Sequence, residues 1–190
     1  AFHCACLALF NPTDEVIVFE PYYQYHLSAL IAVEAVPIVV PLRPPDWTLS
    51  LEDLARAVTP NTKAILVNSP GNPSGKVFGR RELEDIAAIA RQHDLLVLTD
   101  EIYEYFLYDG QAHVSMASLP GMAERTITIG GYSKTFSVTG WRIGYAVAAA
   151  EWSRAIGAMN DLLYVCAPTP LQAGVAAGVR ASVRTLGTFA

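Results

Sequence analysis

Cysteine is scarce and odd in number: Cys4, Cys6 and Cys166 stand at no spacing that makes a disulfide framework, which suits a reducing compartment and makes the cytoplasm the expected location. Histidine is equally thin. His3 with Cys4 and Cys6 heads an apolar segment without a second ligand pair, so core packing is expected there rather than metal binding. His26, His93 and His113 read as isolated, leaving neither a His-based triad nor a metal cluster visible. The chain also lacks a basic cluster, and its net charge of −5 argues against nucleic acid as a standing partner. Mean hydropathy is positive, +0.29. Even so, Glu34 and Pro37 interrupt the most apolar region, and no uninterrupted run reaches the ~20 residues that cross a bilayer. No internal repeat, low-complexity tract or clear linker is visible. These absences leave a soluble chain with a buried sheet and no membrane partner.

What is present is an alternation of elements. With 190 residues and 52% hydrophobic content, the chain can bury a sizeable core in one domain. It opens on Ala1 with neither Met nor a charged leader, its first residues already read as a helix running to Leu9, and it looks like a piece of something longer. Asn11-Pro12-Thr13-Asp14 breaks that helix, Val16 to Phe19 is a β-branched strand, and Glu20-Pro21-Tyr22-Tyr23 closes it. Leu27, Leu30 and Ile31 have helical spacing before a strand over 36–40. After a proline-rich connection, Ser50 with Asp53 marks a helix start, and Leu51, Leu54, Ala55 and Val58 form one face. Strand 64–67, a helix from about Arg80 to His93 with Leu83, Ile86, Ala87 and Ala90 on one stripe, strand 95–98 and strand-like 126–129 follow. This order predicts an α/β fold in three α/β/α layers, with a mostly parallel central sheet and ligands at the carboxyl ends of its strands.

The polar residues at those ends carry the chemistry. Gly131-Tyr132-Ser133-Lys134-Thr135 through Gly140-Trp141-Arg142-Ile143-Gly144 holds one lysine among small residues, with an arginine eight positions on. An amine in such a place can act as a covalent catalyst, and a guanidinium can hold a phosphate. Taken alone, the segment is equally a surface loop with a solvated lysine and turn glycines. Two further stretches stand with it: Asn68-Ser69-Pro70-Gly71-Asn72-Pro73-Ser74-Gly75 and Thr99-Asp100-Glu101-Ile102-Tyr103. Asp100 ends an apolar strand, where a carboxylate needs a cationic partner unless it is a cap or turn residue.

Together, in this order and at these separations, the three segments resemble the class I/II aminotransferases, which depend on pyridoxal 5'-phosphate (PLP) and have the fold called type I. The resemblance covers essentially the whole chain but only part of the family protein, and implies that 1–190 is a partial large PLP-binding domain. It implies that Lys134 anchors the cofactor covalently and moves the proton at the substrate Cα, and that Asp100 pairs with the protonated pyridine nitrogen. Tyr103 and Asn72 would bond the cofactor's phenolic oxygen, with Asn72 also a turn former, and Asn68 would stand behind Asn72. Arg142, helped by Ser133, would grip the phosphate. Tyr23 would stack on the pyridine ring, against the competing reading of aromatic packing in a Tyr-rich helix start. Glu101 would be structural.

The chain departs from the family pattern in several places. Gly131 occupies the position, three before the lysine, that is often serine in relatives, so one phosphate hydroxyl is expected to be missing. By the same resemblance, the phosphate loop and N-terminal arm belong before Ala1, and the small domain with its carboxylate-binding arginine belongs after Ala190. The 190 residues alone are therefore expected to bind PLP poorly and to be inactive. The implied partners are an L-amino acid, a 2-oxo acid and a second copy in a homodimer. Alternatives that share the lysine and aspartate are a PLP-dependent C–S lyase, an aminocyclopropane-carboxylate-synthase-like enzyme and the PLP-binding sensor domain of a transcription regulator.

Overall fold

A computed structural model describes residues 1–182. Helix α1 (Phe2–Leu9) leads into β1 (Glu15–Glu20), α2 (Gln24–Ala32), β2 (Val36–Pro41), α3 (Leu51–Ala57), β3 (Thr62–Asn68), α4 (Arg80–Gln92) and β4 (Leu96–Asp100). After a long connection come β5 (Thr126–Gly131), the one-turn α5 (Tyr132–Thr135), β6 (Gly144–Val147), α6 (Ala150–Tyr164) and α7 (Thr169–Ser182). The strands form one sheet in the order β2-β1-β3-β4-β5-β6, parallel throughout except for β6, which runs antiparallel to β5.

Alternation along the strands builds two cores. In β1, Ile17 and Phe19 join Leu54 of α3 and the Leu83, Ile86, Ala87 and Ala90 stripe of α4, while Val16 and Val18 face Cys4 and Cys6 of α1, Leu30 of α2 and Ile156 of α6. Helices thus cover both faces, as βαβ crossovers require. The α3 start is as the sequence predicts: the Ser50 side chain accepts from the Asp53 N–H at 3.2 Å. Edge strand β2 tolerates Pro37 and Pro41 because an edge leaves some backbone groups outside the ladder. Burial pushes the Cys6 thiol up to about 12, so it packs as an inert small apolar group. Ile65 is completely buried at the centre of the sheet, and Ile65→Ala is expected to cost about 2–5 kcal/mol in urea unfolding. Ile31→Ala, at an exposed helix position, should change stability by less than about 0.5 kcal/mol in the same measurement.

Two features differ from the sequence reading. β6 was not anticipated, because a four-residue strand of partly exposed residues carries no clear periodicity. β4 runs Leu96–Asp100, one residue later at its start and two further at its end than the expected 95–98, with Asp100 at its end as the sequence predicts. Among the described residues, no helix is long and apolar enough to cross a membrane.

Candidate active site

Register sets the floor of the site. Asn68 of β3 lies opposite Asp100 of β4, and Asp100 opposite Ile129 of β5, so β3 and β4 end in one row at the carboxyl edge of the sheet while β5 runs on to Gly131. Over that row opens a cleft of about 270 Å³ lined by Tyr23, Asn68, Asn72, Asp100, Tyr103, Ser133, Lys134 and Arg142, all of the candidate residues. Ile102, Ile129 and Thr139 complete the lining.

Asp100 is not waiting for a ligand to satisfy it. Its Oδ1 accepts the Ile102 N–H at 3.1 Å, and its Oδ2 lies 2.8 Å from Nε2 of His26. An ionised carboxylate can only accept, so Nε2 carries the proton in this pair. His26 is buried and wedged between the rings of Phe2 and Tyr23, at centroid distances of 4.7 and 5.3 Å. The reading of His26 as isolated is therefore corrected, and the signal was present: Tyr23 and His26 are three residues apart at the start of α2, a spacing that turns both toward one side. His113 is corrected likewise, since its Nε2 sits 2.8 Å from Oε2 of the buried Glu101. With Glu104, these two form a group whose ligand-type atoms lie within 4.8 Å of one another.

The Asn-Pro-Ser-Gly loop is braced from within. Asn68 accepts the Asn72 N–H at 2.9 Å and donates to the Asp100 carbonyl at 3.1 Å, so its amide is spent on holding the backbone that presents Asn72. The loop closes through Gly71 N–H to the Lys76 carbonyl and Gly75 N–H to the Gly71 carbonyl, both 2.8 Å, with Gly75 at a left-handed φ of 71°. Burial pushes the Tyr23 phenol above its ordinary range, with Tyr25, Tyr103 and Asp100 adding to the rise and Arg142 opposing it. The phenol stays protonated at neutral pH.

Lys134 projects from α5, with Nζ 5.7 Å from the centre of the Tyr103 ring. Beyond it the chain folds through a short 3₁₀ turn to Arg142, which donates from Nη1 to the Thr139 carbonyl at 2.8 Å, while Thr139 Oγ1 bonds the Ser133 carbonyl at 3.1 Å. Arg142 has φ 56° and ψ 37°, a left-handed conformation costing a non-glycine residue about 1 kcal/mol or more. Arg142→Gly should therefore leave thermal stability unchanged or slightly raised while weakening phosphate-group affinity at least tenfold, whereas Arg142→Lys keeps the strain and loses only the planar donors. Titration with inorganic phosphate and with PLP, run beside a thermal melt, would separate the two effects.

Gly131 has a packing reason. A Cβ there would meet Ile102 Cδ1 at 2.9 Å, and Gly144 Cα and the Ile143 carbonyl at 3.2 Å, because Gly131 pairs with Gly144 where β5 meets β6. Gly131→Ser is expected to cost about 1–3 kcal/mol in denaturant unfolding.

A cation pair at one side, a carboxylate on the floor and an aromatic face suit a flat, phosphate-bearing heteroaromatic aldehyde, and the donors present fit PLP. A mostly parallel sheet carrying this site at its carboxyl edge is the large domain of the PLP-dependent fold type I. Residues 2–186 match the family described as aminotransferase class I and II, and the chain belongs to that family. It is 42% identical over 179 residues to kynurenine–oxoglutarate transaminase 3 of Mus musculus, covering 88% of this chain and 39% of that protein. Aromatic-amino-acid aminotransferase 2 of Thermococcus litoralis is 46% identical over 140 residues, 73% of this chain and 36% of the relative. The structure of N-succinyldiaminopimelate aminotransferase from Mycobacterium tuberculosis superposes with a TM-score of 0.95 at 37% identity, covering 99% of this chain and 50% of that one. The chain thus spans half or less of the length of these relatives.

Proposed function

We propose that this chain is the large PLP-binding domain of an aminotransferase that moves an amino group from an L-amino acid to a 2-oxo acid. The observation that carries the reading is the meeting of Lys134, Asp100 and Arg142 in one cleft from separate parts of the chain. PLP, when bound, supplies an electron sink for negative charge at the substrate Cα. Lys134 is the amine that holds the cofactor and, once released, carries a proton to and from that carbon. Asp100, oriented by His26, sets a negative charge against the ring nitrogen. Asn72 and Tyr103 would hold the phenolic oxygen, Tyr23 would cover the ring, and Arg142 with Ser133 would hold the phosphate.

The family's membership supports transfer over the lyase and sensor readings, because the relatives described above are aminotransferases. Unpaired Cys4, Cys6 and Cys166 support a reducing, cytoplasmic setting. Exposed Leu162, Tyr164 and Val165 at the end of α6 support burial against further chain or a second copy in a homodimer. The test is amino transfer by the whole protein, supplied with PLP, across a panel of L-amino acids and 2-oxo acids. Coupled loss of amine from one and gain by the other is expected. Elimination to ammonia with no amino acid product would overturn transfer.

A further inference from the structure

Tyr103 sits in a stretch of chain without strand or helix between β4 and the 3₁₀ turn at Met116–Ser118, yet its ring reaches the cleft beside Lys134. Something has to hold it. Glu101, the residue just past the end of β4, is 5% exposed, and both its carboxylate oxygens are taken by the returning limb of this stretch. Oε2 meets His113 Nε2 at 2.8 Å and Oε1 accepts from Ser115 Oγ at 3.0 Å. The Glu101 N–H is itself tied to the Ile129 carbonyl of β5 at 2.9 Å, so the clasp is anchored on the sheet. Inside the closed stretch, Glu104 N–H bonds the Glu101 carbonyl at 3.0 Å and Phe106 N–H the Tyr103 carbonyl at 2.8 Å, giving tight turns on either side of Tyr103. His113 has no hydrogen-bond partner at its buried Nδ1, which leaves Glu101 as its hydrogen-bonding anchor.

We propose that Glu101 and His113 are positioning residues that close this segment at its base and thereby fix the Tyr103 hydroxyl in the cleft. The inference rests on the PLP reading of the site. A side-chain clasp across twelve residues removes conformations in which Tyr103 swings away, and the ordering is paid in advance of ligand binding. Glu104, half-buried and 3.4 Å from Tyr145 Oη, ties the same segment to β6 and faces the clasp from within.

The test uses the PLP-loaded whole protein and reads the pH midpoint of the bound cofactor's visible absorption, together with PLP affinity. Tyr103→Phe removes a donor to an ionised phenolic oxygen and should raise that midpoint by about one unit. Glu101→Ala should raise it in the same direction, and Glu101/Tyr103 double replacement should add nothing to Tyr103→Phe alone. Glu101→Gln, which loses the charge but keeps a bond to each partner, its amide oxygen accepting from His113 Nε2 and its NH2 donating to Ser115 Oγ in a reversed bond, should restore the wild-type midpoint; a fall in melting temperature alone would not show this pattern. His113→Ala serves as the second clasp variant should Glu101→Ala fail to fold, and should move the midpoint alike. A Tyr103→Phe shift without any shift in folded clasp variants, or with fully additive shifts, overturns the clasp. No shift on Tyr103→Phe overturns the assignment of Tyr103 and the clasp with it.

Discussion

Asp100→Asn in the PLP-loaded whole protein is expected to lower turnover by about 10²–10⁴-fold while leaving the melting temperature nearly unchanged. The amide keeps the shape: its Oδ1 still accepts the Ile102 N–H, now bonded at 3.1 Å, and its NH2 donates to His26 Nε2 in the other ring tautomer in place of the 2.8 Å bond, but it carries no charge to set against the ring nitrogen. Loss of a charge facing a buried cation is worth about 3–5 kcal/mol, and each 1.36 kcal/mol is tenfold in rate. Asp100→Ala should add a stability loss of about 1–3 kcal/mol, because His26, at 3% exposure, then has no acceptor for its ring N–H. Steady-state rates and urea unfolding on the same preparations check both. Full activity in Asp100→Asn would mean that the carboxylate is structural and that its charge does not serve the chemistry.

Lys134→Ala should be the most damaging single change. On the proposed reading it removes the amine that would hold the cofactor and the base that would move the proton, and proton transfer alone is worth up to about 10⁴-fold. Stability should hardly move. The ammonium stands near the Tyr103 ring, in a cleft rather than a core, and such positions usually tolerate truncation within about 0.5 kcal/mol. Lys134→Arg, which retains charge but cannot form the covalent link, should be as inactive as the alanine variant. Single-turnover assays at saturating PLP distinguish weak binding from absent chemistry. Activity in either variant within tenfold of wild type would place the base elsewhere.

How much of this was legible beforehand follows from the range of the interactions. The α4 stripe of Leu83, Ile86, Ala87 and Ala90 repeats at helical spacing and is buried as such, and the apolar runs of β3 and β4 are central strands covered on both faces. Ser50 caps α3 through a bond three residues long. Each of these is local. The His26–Asp100 bond joins residues 74 positions apart: the Tyr23–His26 spacing shows which side the histidine faces, and nothing local shows which carboxylate it meets there. Glu101 and His113 are only 12 apart but belong to irregular chain, where spacing does not translate into distance. Gly131 read as a missing hydroxyl until β6 supplied the strand that presses on it. The candidate residues gather in one cleft because all but Arg142 stand at or follow the carboxyl ends of parallel strands, and Arg142 precedes the antiparallel β6, which starts at that same edge; this is a rule of topology rather than of any one side chain. What each of them does was implied by resemblance.

The central claim is that Lys134 is the covalent anchor, and the lysine inventory makes it easy to test. The chain contains three: Lys63, Lys76 and Lys134. Lys63 lies near the start of β3, at the opposite end of the sheet from the cleft, and Lys76 is held at 2.7 Å by Glu82 with its ammonium over the Phe78 ring. Lys134 alone of these lines the cleft. Borohydride reduction of the PLP-loaded whole protein, followed by proteolysis and mass spectrometry, reads the attachment point directly. The phosphopyridoxyl mass is predicted on the peptide containing Tyr132-Ser133-Lys134-Thr135 and absent from Lys134→Ala. Equal labelling of Lys63 or Lys76, or undiminished labelling in the Lys134→Ala protein, would contradict it.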